Sequence, residues 1–197
     1  MERIRIEGIN FSTEEDLPEE LRGGMPLDEL NGFFKTLAAE SDRGLVLTIG
    51  SILDDQCREW IASVFDKGNG DSRRAAMRSF GSFASRVNGL HALGLISDGA
   101  FADLHAIRAL RNAAAHGWAQ FELDDAIAKE HIDPLKSGIK HLDGSEGKTM
   151  LHPRTKLVLS GAALLLSLSK RVGKAPTFSK LEMVGPADAA GQRLGDD

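Results

Sequence analysis

The sequence predicts an all-α protein: a helical bundle of four to five main helices with a flexible C-terminal tail. Apolar residues recur at helical spacing through most of residues 27–172. The chain has no tyrosine and only 6% aromatic residues, which argues against a large β-sandwich. We therefore divide it into an N-terminal arm (1–26), an all-helical domain (27–172) and a disordered tail (173–197) rich in Gly, Pro, Ala and charge.

The N-terminal arm begins with Ile4, Ile6 and Ile9 among charged residues, a two-residue period that predicts a short edge strand or an extended arm. Residues 12–26 are acidic and interrupted by Pro and Gly, which predicts a loop with one turn of helix around 14–21. We expect the whole arm to be an appendage outside the core.

The first half of the domain predicts a helix over 27–39 and a long apolar-periodic segment that ends at Phe65. These segments form either one bent helix or two helices, with Ser41 or Asp42 as a cap in the second case. Residues 66–72 (DKGNGDS) predict a flexible loop, and the basic residues after it are typical of a solvated face.

The second half predicts a helix over 80–96, in which three glycines allow close approach of another helix. Ser97 or Asp98 caps the next helix, which runs to His116. A further helix covers 122–131, residues 141–148 form a polar loop, and Pro153 stands at the start of a last helix over 154–172.

Composition limits the functions that the chain can have. The net charge of −5 disfavours a protein whose main task is gripping a nucleic-acid backbone, although a local basic patch remains open. A single cysteine, Cys57, is predicted to pack in a helix, and its solitary occurrence fits a reducing cytosol. No apolar leader precedes the domain, and the apolar run 157–168 is too short for a bilayer, so we expect a cytoplasmic protein that does not enter membranes.

The best functional lead is the segment 104–117, LHAIRALRNAAAHG. Its alanine and leucine content predicts a helix that ends near Gly117. Four polar residues share one face of that helix because they are three, four and four positions apart: His105, Arg108, Asn112 and His116. Arg111 lies one position from this stripe and begins an Arg-Asn-x-x-x-His pattern.

The pattern suits metal-free RNA cleavage, because arginine binds phosphate oxygens and histidine transfers protons near neutral pH. An ideal helix places Arg111 and His116 about 140° out of phase. They converge only if the helix ends or unwinds near Gly117, or if two helices meet across a dimer. In the structural alternative, Arg111 satisfies a helix end or an acidic partner, and His116 favours the negative helix terminus.

A second polar cluster precedes the long apolar segment and contains Glu40, Asp42 and Arg43, with Asp54 and Asp55 three turns further on. In a functional interpretation these carboxylates orient Arg108 and Arg111; in the structural alternative they are helix caps and exposed charges. The six histidines are scattered along the chain, so we expect no metal site and no cofactor.

Three stretches resemble the mannitol operon repressor (MltR) family: ESDRGLVLTIGSILDDQCREWIASVF, SFASRVNGLHALGLIS and FADLHAIRALRNAAAHG. The resemblance covers roughly residues 27–142. It implies an all-helical domain and a transcriptional regulator, a repressor that works through self-association and a macromolecular partner. We expect a homodimer whose partner is a protein or RNA, with direct DNA binding left open.

The Arg111–His116 segment also resembles the signature of the HEPN superfamily, helical domains that include metal-independent endoribonucleases. This resemblance implies an alternative function, that of a ribonuclease in a toxin or defence system. Arg111 would then hold the scissile phosphate, His116 would transfer protons and Asn112 would position either group, commonly at a dimer interface. His105, Arg108 and the acidic cluster would support the site.

Overall fold

The protein is an all-α helical bundle with a short β-hairpin at its N-terminus. The computed structural model describes residues 4–6, 9–11, 14–22, 27–65, 70–116, 121–139 and 151–170. Within these ranges there are seven α-helices: α1 (Leu27–Ala38), α2 (Asp42–Val64), α3 (Gly70–Ser79), α4 (Phe83–Ala92), α5 (Asp98–His116), α6 (Ala126–Ile132) and α7 (Pro153–Ser169). The predicted loop 141–148 and tail 173–197 lie outside the described residues.

Helix α2 is the centre of the bundle and packs against α4, α5 and α7. Its buried stripe follows the helical period and includes Leu45, Ile49, Leu53, Trp60 and Ile61. The chain breaks between α1 and α2 because the Ser41 side chain accepts a hydrogen bond from the Gly44 N–H and caps a new helix. Two separate helices therefore form, which was one of the two predicted arrangements.

Helix α7 is buried on every side, and the whole stretch Leu157–Leu166 is removed from solvent. A helix that is apolar all round needs partners on all faces, and α2, α5 and α6 supply them. Pro153 occupies the start of α7, as predicted. No helix among the described ranges is long and apolar enough to cross a bilayer.

The N-terminal arm is more integrated than the sequence indicated. Strands β1 (Ile4–Ile6) and β2 (Ile9–Phe11) pair antiparallel, which confirms the predicted strand. Two single-turn 3₁₀ helices follow at Glu14–Asp16 and Glu19–Leu21. The expectation of an appendage is wrong for this part of the arm, because Leu17 and Leu21 are each only 1% exposed in the core.

Helix α3 was missed because its sequence, GDSRRAAMRS, begins inside the glycine-rich stretch that predicted a loop. The helix predicted over 80–96 is shorter than expected. A Ser82–Ser85 capping box starts α4 after Gly81. Gly94, with a φ of 66°, ends it in a Schellman turn in which the Leu95 N–H donates to the Leu90 carbonyl.

Only Gly89 lies inside α4, where the Phe80 ring occupies the space of a Cβ. The close approach predicted from three glycines therefore applies to one of them. Helix α6 begins at Ala126, four residues later than predicted, after the N-cap residue Asp125.

Candidate functional site

The Arg-Asn-x-x-x-His pattern lies on the last turns of α5, which remains helical through His116. Ser97 caps the other end of this helix, as predicted, by accepting a hydrogen bond from the Ala100 N–H. Asn112 and His116 are exposed, whereas Arg111 is half-buried. An unbroken helix keeps positions 111 and 116 about 140° apart, so one copy of α5 does not turn both side chains in the same direction.

Arg111 lies against the centre of α2. A Cβ built on Gly50 would come within 2.9 Å of the Arg111 Cδ, so the absence of a side chain at Gly50 makes room for the arginine. The Arg111 Nε is buried and has no hydrogen-bond partner among the described residues. The predicted structural alternative, an acidic partner or a helix end for Arg111, finds no such partner in these ranges.

A different arginine, Arg154, fills that structural role. Its guanidinium donates to Asp42 Oδ1 at 2.7 Å and to the carbonyl oxygens of Leu37 and Glu40 at the end of α1. Asp42 also accepts a hydrogen bond from the Leu123 N–H at 2.9 Å. Asp42 therefore ties α7 and the segment before α6 to the start of α2.

The expectation that Asp42 and its neighbours orient the motif arginines is corrected by these contacts. The Glu40 side chain folds over Gly44 in the first turn of α2, where a Cβ would meet its carboxylate. Arg43 is half-buried next to this turn. Glu40 and Asp42 belong to the junction between α1, α2 and α7, and within the described ranges they make no hydrogen bond or ion pair with Arg108 or Arg111.

Asp54 likewise pairs with a residue outside the motif, Arg86. It accepts hydrogen bonds from the Arg86 Nε at 2.9 Å and Nη2 at 2.6 Å, while the Arg86 Nη1 donates to the Phe80 carbonyl. Arg86 is 9% exposed, so it joins α4 to α2 inside the bundle and is not part of a solvated face. The predicted role of Asp54 in orienting the motif is therefore wrong.

His105 and Arg108 form a polar and aromatic cluster with α4. The His105 Nε2 lies 2.9 Å from Asn88 Oδ1, and the Arg108 Nε donates to the His105 Nδ1 at 3.4 Å. Phe101 packs edge-on against His105 and stacks on His91. Burial lowers the pKa of His105, and the positive charge of Arg108 lowers it further.

Cys57 is fully buried in α2, in agreement with its predicted packing role. Burial raises the pKa of its thiol to about 12, with Asp54 adding to the increase and Arg86 opposing it. Such a thiol is not an available nucleophile. Across the described ranges, no group of three His, Cys, Asp or Glu residues is arranged to hold a metal ion.

Sequence reasoning missed one polar feature, a cavity of about 200 Å³ between α2, α7 and the start of α5. Its polar lining includes Trp60, Asp103 and Lys136. Asp103 is 3% exposed, and a carboxylate at an interior position of an apolar helix face is the signal that pointed to it.

The comparisons with known proteins identify a family. A family model described as a domain of unknown function, DUF4145, matches residues 33–135, which is more than half of the chain. The match spans every candidate residue from Glu40 to His116. No curated protein and no solved structure matches the chain. This helical-bundle protein therefore belongs to the DUF4145 family.

Proposed function

We propose that the protein is a metal-independent endoribonuclease whose active site is completed when two copies meet through the C-terminal ends of their α5 helices. The observation that carries the proposal is Arg111, whose buried Nε has no partner in the described part of the chain. Because a buried donor without an acceptor is costly and the half-buried guanidinium carries a positive charge, its retention favours an anionic ligand such as a phosphate.

The arginines elsewhere in the bundle support this interpretation by contrast. Arg86 and Arg154, whose side chains are largely buried, each bind a carboxylate and at least one backbone carbonyl oxygen. The fold therefore supplies acceptors where an arginine is structural. Arg111 receives no carboxylate from the described residues, although its side chain packs against the same central helix, α2.

The chemistry needs a cation, a proton acceptor and a proton donor. Arg111 would hold the scissile phosphate while the 2′-oxygen of RNA attacks phosphorus and the bond to the 5′-oxygen breaks. His116 would take the proton from the 2′-hydroxyl and return a proton to the leaving oxygen. Asn112, exposed beside Arg111, would position the phosphate or the imidazole. The products are a 2′,3′-cyclic phosphate and a 5′-hydroxyl.

A second copy is needed because of helix geometry. Since α5 stays helical to His116, Arg111 and His116 of one copy lie on different sides of the helix. Two α5 ends packed together can bring the arginine of one copy to the histidine of the other. The overall charge of −5 makes such a local site more suitable for RNA than a long groove along the backbone.

The test is cleavage of a single-stranded RNA by the purified protein in EDTA. Arg111→Ala and His116→Ala should each lower the rate by about 100-fold or more, the usual contribution of an acid–base group or a phosphate-binding side chain. Arg58→Ala, which removes an exposed arginine from α2, is the matched control and should retain full activity.

Mixing the two inactive variants tests the composite site. If each site takes Arg111 from one copy and His116 from the other, random pairing restores about a quarter of the wild-type activity. His116 is exposed, so His116→Ala should change the free energy of unfolding by less than about 1 kcal/mol. A folded dimer that leaves RNA intact would contradict the proposal.

A second candidate function is the regulator suggested by the resemblance to the mannitol operon repressor. The separation of Arg111 and His116 around α5 favours it, because a single copy then offers a polar binding face without a converged catalytic pair. In this case the dimer would not cleave RNA, and Arg111→Ala would weaken binding to the macromolecular partner. Both candidates place the protein in the cytoplasm.

A further inference from the structure

The cavity beside Trp60 holds an unusual set of polar groups for the interior of a helical bundle. It measures about 200 Å³ and lies where α2, α7 and the turn at 136–137 meet the first turn of α5. Its apolar wall is formed by Ile96, Leu164 and Leu168. The α5 site at Arg111–His116 is at the opposite end of the same helix, so the two are separate.

Asp103 is the buried anion of this cavity. Its carboxylate accepts hydrogen bonds from the Lys136 N–H at 3.1 Å and from the Ser137 N–H at 2.7 Å, and it is only 3% exposed. Within the described part of the chain, no side-chain cation pairs with it. Two backbone donors leave acceptor sites on the carboxylate unused, so a positively charged donor is the missing partner.

Lys136 is the complementary donor of this cavity, and Trp60 forms part of its wall. Trp60 is 2% exposed, and its indole Nε1 is buried without an acceptor among the described residues. Lys136 is exposed at the rim, and its ammonium forms no ion pair there. A buried donor without an acceptor is rare in native proteins, because desolvation is then uncompensated.

The first turn of α5 adds a second donor. Gly99 lines the cavity, and as an N-terminal helical residue it has no intrahelical acceptor for its N–H. The positive end of a 19-residue helix favours an anionic group at this place. Asp98 in the same turn is directed to His91, with 2.8 Å between its Oδ1 and the His91 Nε2.

We propose that this cavity binds a free α-amino acid with a small apolar side chain, of which leucine is the best fit. The ammonium group would pair with Asp103, the carboxylate would face Lys136 and the first turn of α5, and the side chain would lie against Ile96, Leu164 and Leu168. A single ligand of this class pairs with the buried Asp103 carboxylate and the Lys136 ammonium together.

The size of the cavity agrees with this ligand class. An apolar cavity of about 150 Å³ holds benzene, so a cavity of about 200 Å³ has room for a slightly larger molecule such as leucine. A nucleotide or a peptide is far larger than this space. The ligand would stabilise the junction of α2, α5 and α7, away from the α5 end that carries Arg111.

The test is calorimetric titration of the full chain with L-leucine, isocaproate and isoamylamine. Isocaproate lacks the ammonium group and isoamylamine lacks the carboxylate. Each should bind at least about tenfold more weakly than leucine, because one charged hydrogen-bonded contact is lost. Equal binding of isoamylamine and leucine, or no leucine binding at about 10 mM, would overturn the proposal.

Substitutions of three residues that line the cavity test their contacts with the ligand. Asp103→Asn should weaken leucine binding at least about tenfold, and Lys136→Met and Trp60→Phe should weaken it by smaller factors. Lys35→Met removes an exposed lysine from α1 and is the control, with unchanged affinity expected. If Asp103→Asn does not fold, the affinities of Trp60→Phe and Lys136→Met for leucine test the proposal instead. Both substitutions keep most of the volume of the original side chain. Wild-type affinity in both of these would overturn the assignment.

Discussion

Arg111 of α5 lies directly against Gly50 of α2, so closely that a Cβ on Gly50 would be 2.9 Å from the arginine Cδ and 3.1 Å from its Cβ. The glycine is therefore the means by which the bundle accommodates a half-buried guanidinium. The arginine gains no carboxylate partner among the described residues in return. This relationship connects the packing of the two central helices to the candidate site.

Gly50→Ala should displace Arg111. In an open helix position, replacing Gly by Ala stabilises a protein by roughly 0.5–1 kcal/mol. Gly32→Ala on α1 should show this gain, because nothing lies within 4 Å of a Cβ there. Gly50→Ala should show no gain or a loss in urea unfolding, and RNA cleavage should fall with it. Equal stabilisation by both substitutions would contradict the contact.

Asp54→Ala should destabilise the bundle by about 3 kcal/mol, because it leaves the largely buried Arg86 without its carboxylate. Its neighbour Asp55 pairs with Arg58 in solvent, so Asp55→Ala should change the free energy of unfolding by less than about 1 kcal/mol. The two substitutions are adjacent on α2 and are compared by chemical denaturation. Similar losses for both would show that the Asp54–Arg86 pair is weak.

The free energy of unfolding should depend on His105 below neutral pH. Its pKa is lowered from 6.5 by burial and by Arg108, so the folded protein binds the proton less well than the unfolded chain does. The contribution is fully present above pH 6.5 and is lost as the pH falls below that value through the folded pKa.

His105→Gln should therefore make unfolding free energy less sensitive to acid than it is in the wild type. Denaturation at about pH 7.5 and about pH 5 measures the difference, and proton NMR locates the midpoint of His105 itself. A midpoint above 6.5 would contradict the neutral imidazole that accepts from Arg108.

Cys57 should resist thiol reagents in the native protein. Its pKa of about 12 and its complete burial leave almost no accessible thiolate at neutral pH. Labelling with a disulfide reagent should proceed only as fast as the bundle opens, and it should be immediate in guanidinium chloride. Rapid labelling in native buffer would place Cys57 in a region that opens locally.

Several elements were predictable because their signals are local. The buried stripe of α2, the proline at the start of α7 and the Ser97 cap depend on residues within a few positions of each other. Helix α3 was not predictable in this way, because its first turn contains the glycine and polar residues that normally form a loop. The start of α6 was placed four residues early for a similar reason.

Within the candidate site, too, the sequence predicted the local features and missed the contacts between distant segments. The position of Arg111, Asn112 and His116 on one helix followed from the sequence, because helical spacing is a local property. The partners of Asp42 and Asp54 did not follow, since Arg154 and Arg86 are 112 and 32 residues away from them along the chain. Charge alone does not identify which arginine a carboxylate will reach.

By itself, therefore, the sequence determined the fold class, the main helices and the helix that carries the motif, because periodicity and capping act within a few residues. Only the tertiary structure decided that Leu17 and Leu21 belong to the core, that Asp42 and Asp54 have structural roles, and that Arg111 is left without a carboxylate in the described ranges. The physical reason is that burial and ion pairing depend on which distant segments pack together, and spacing along the chain does not encode that directly.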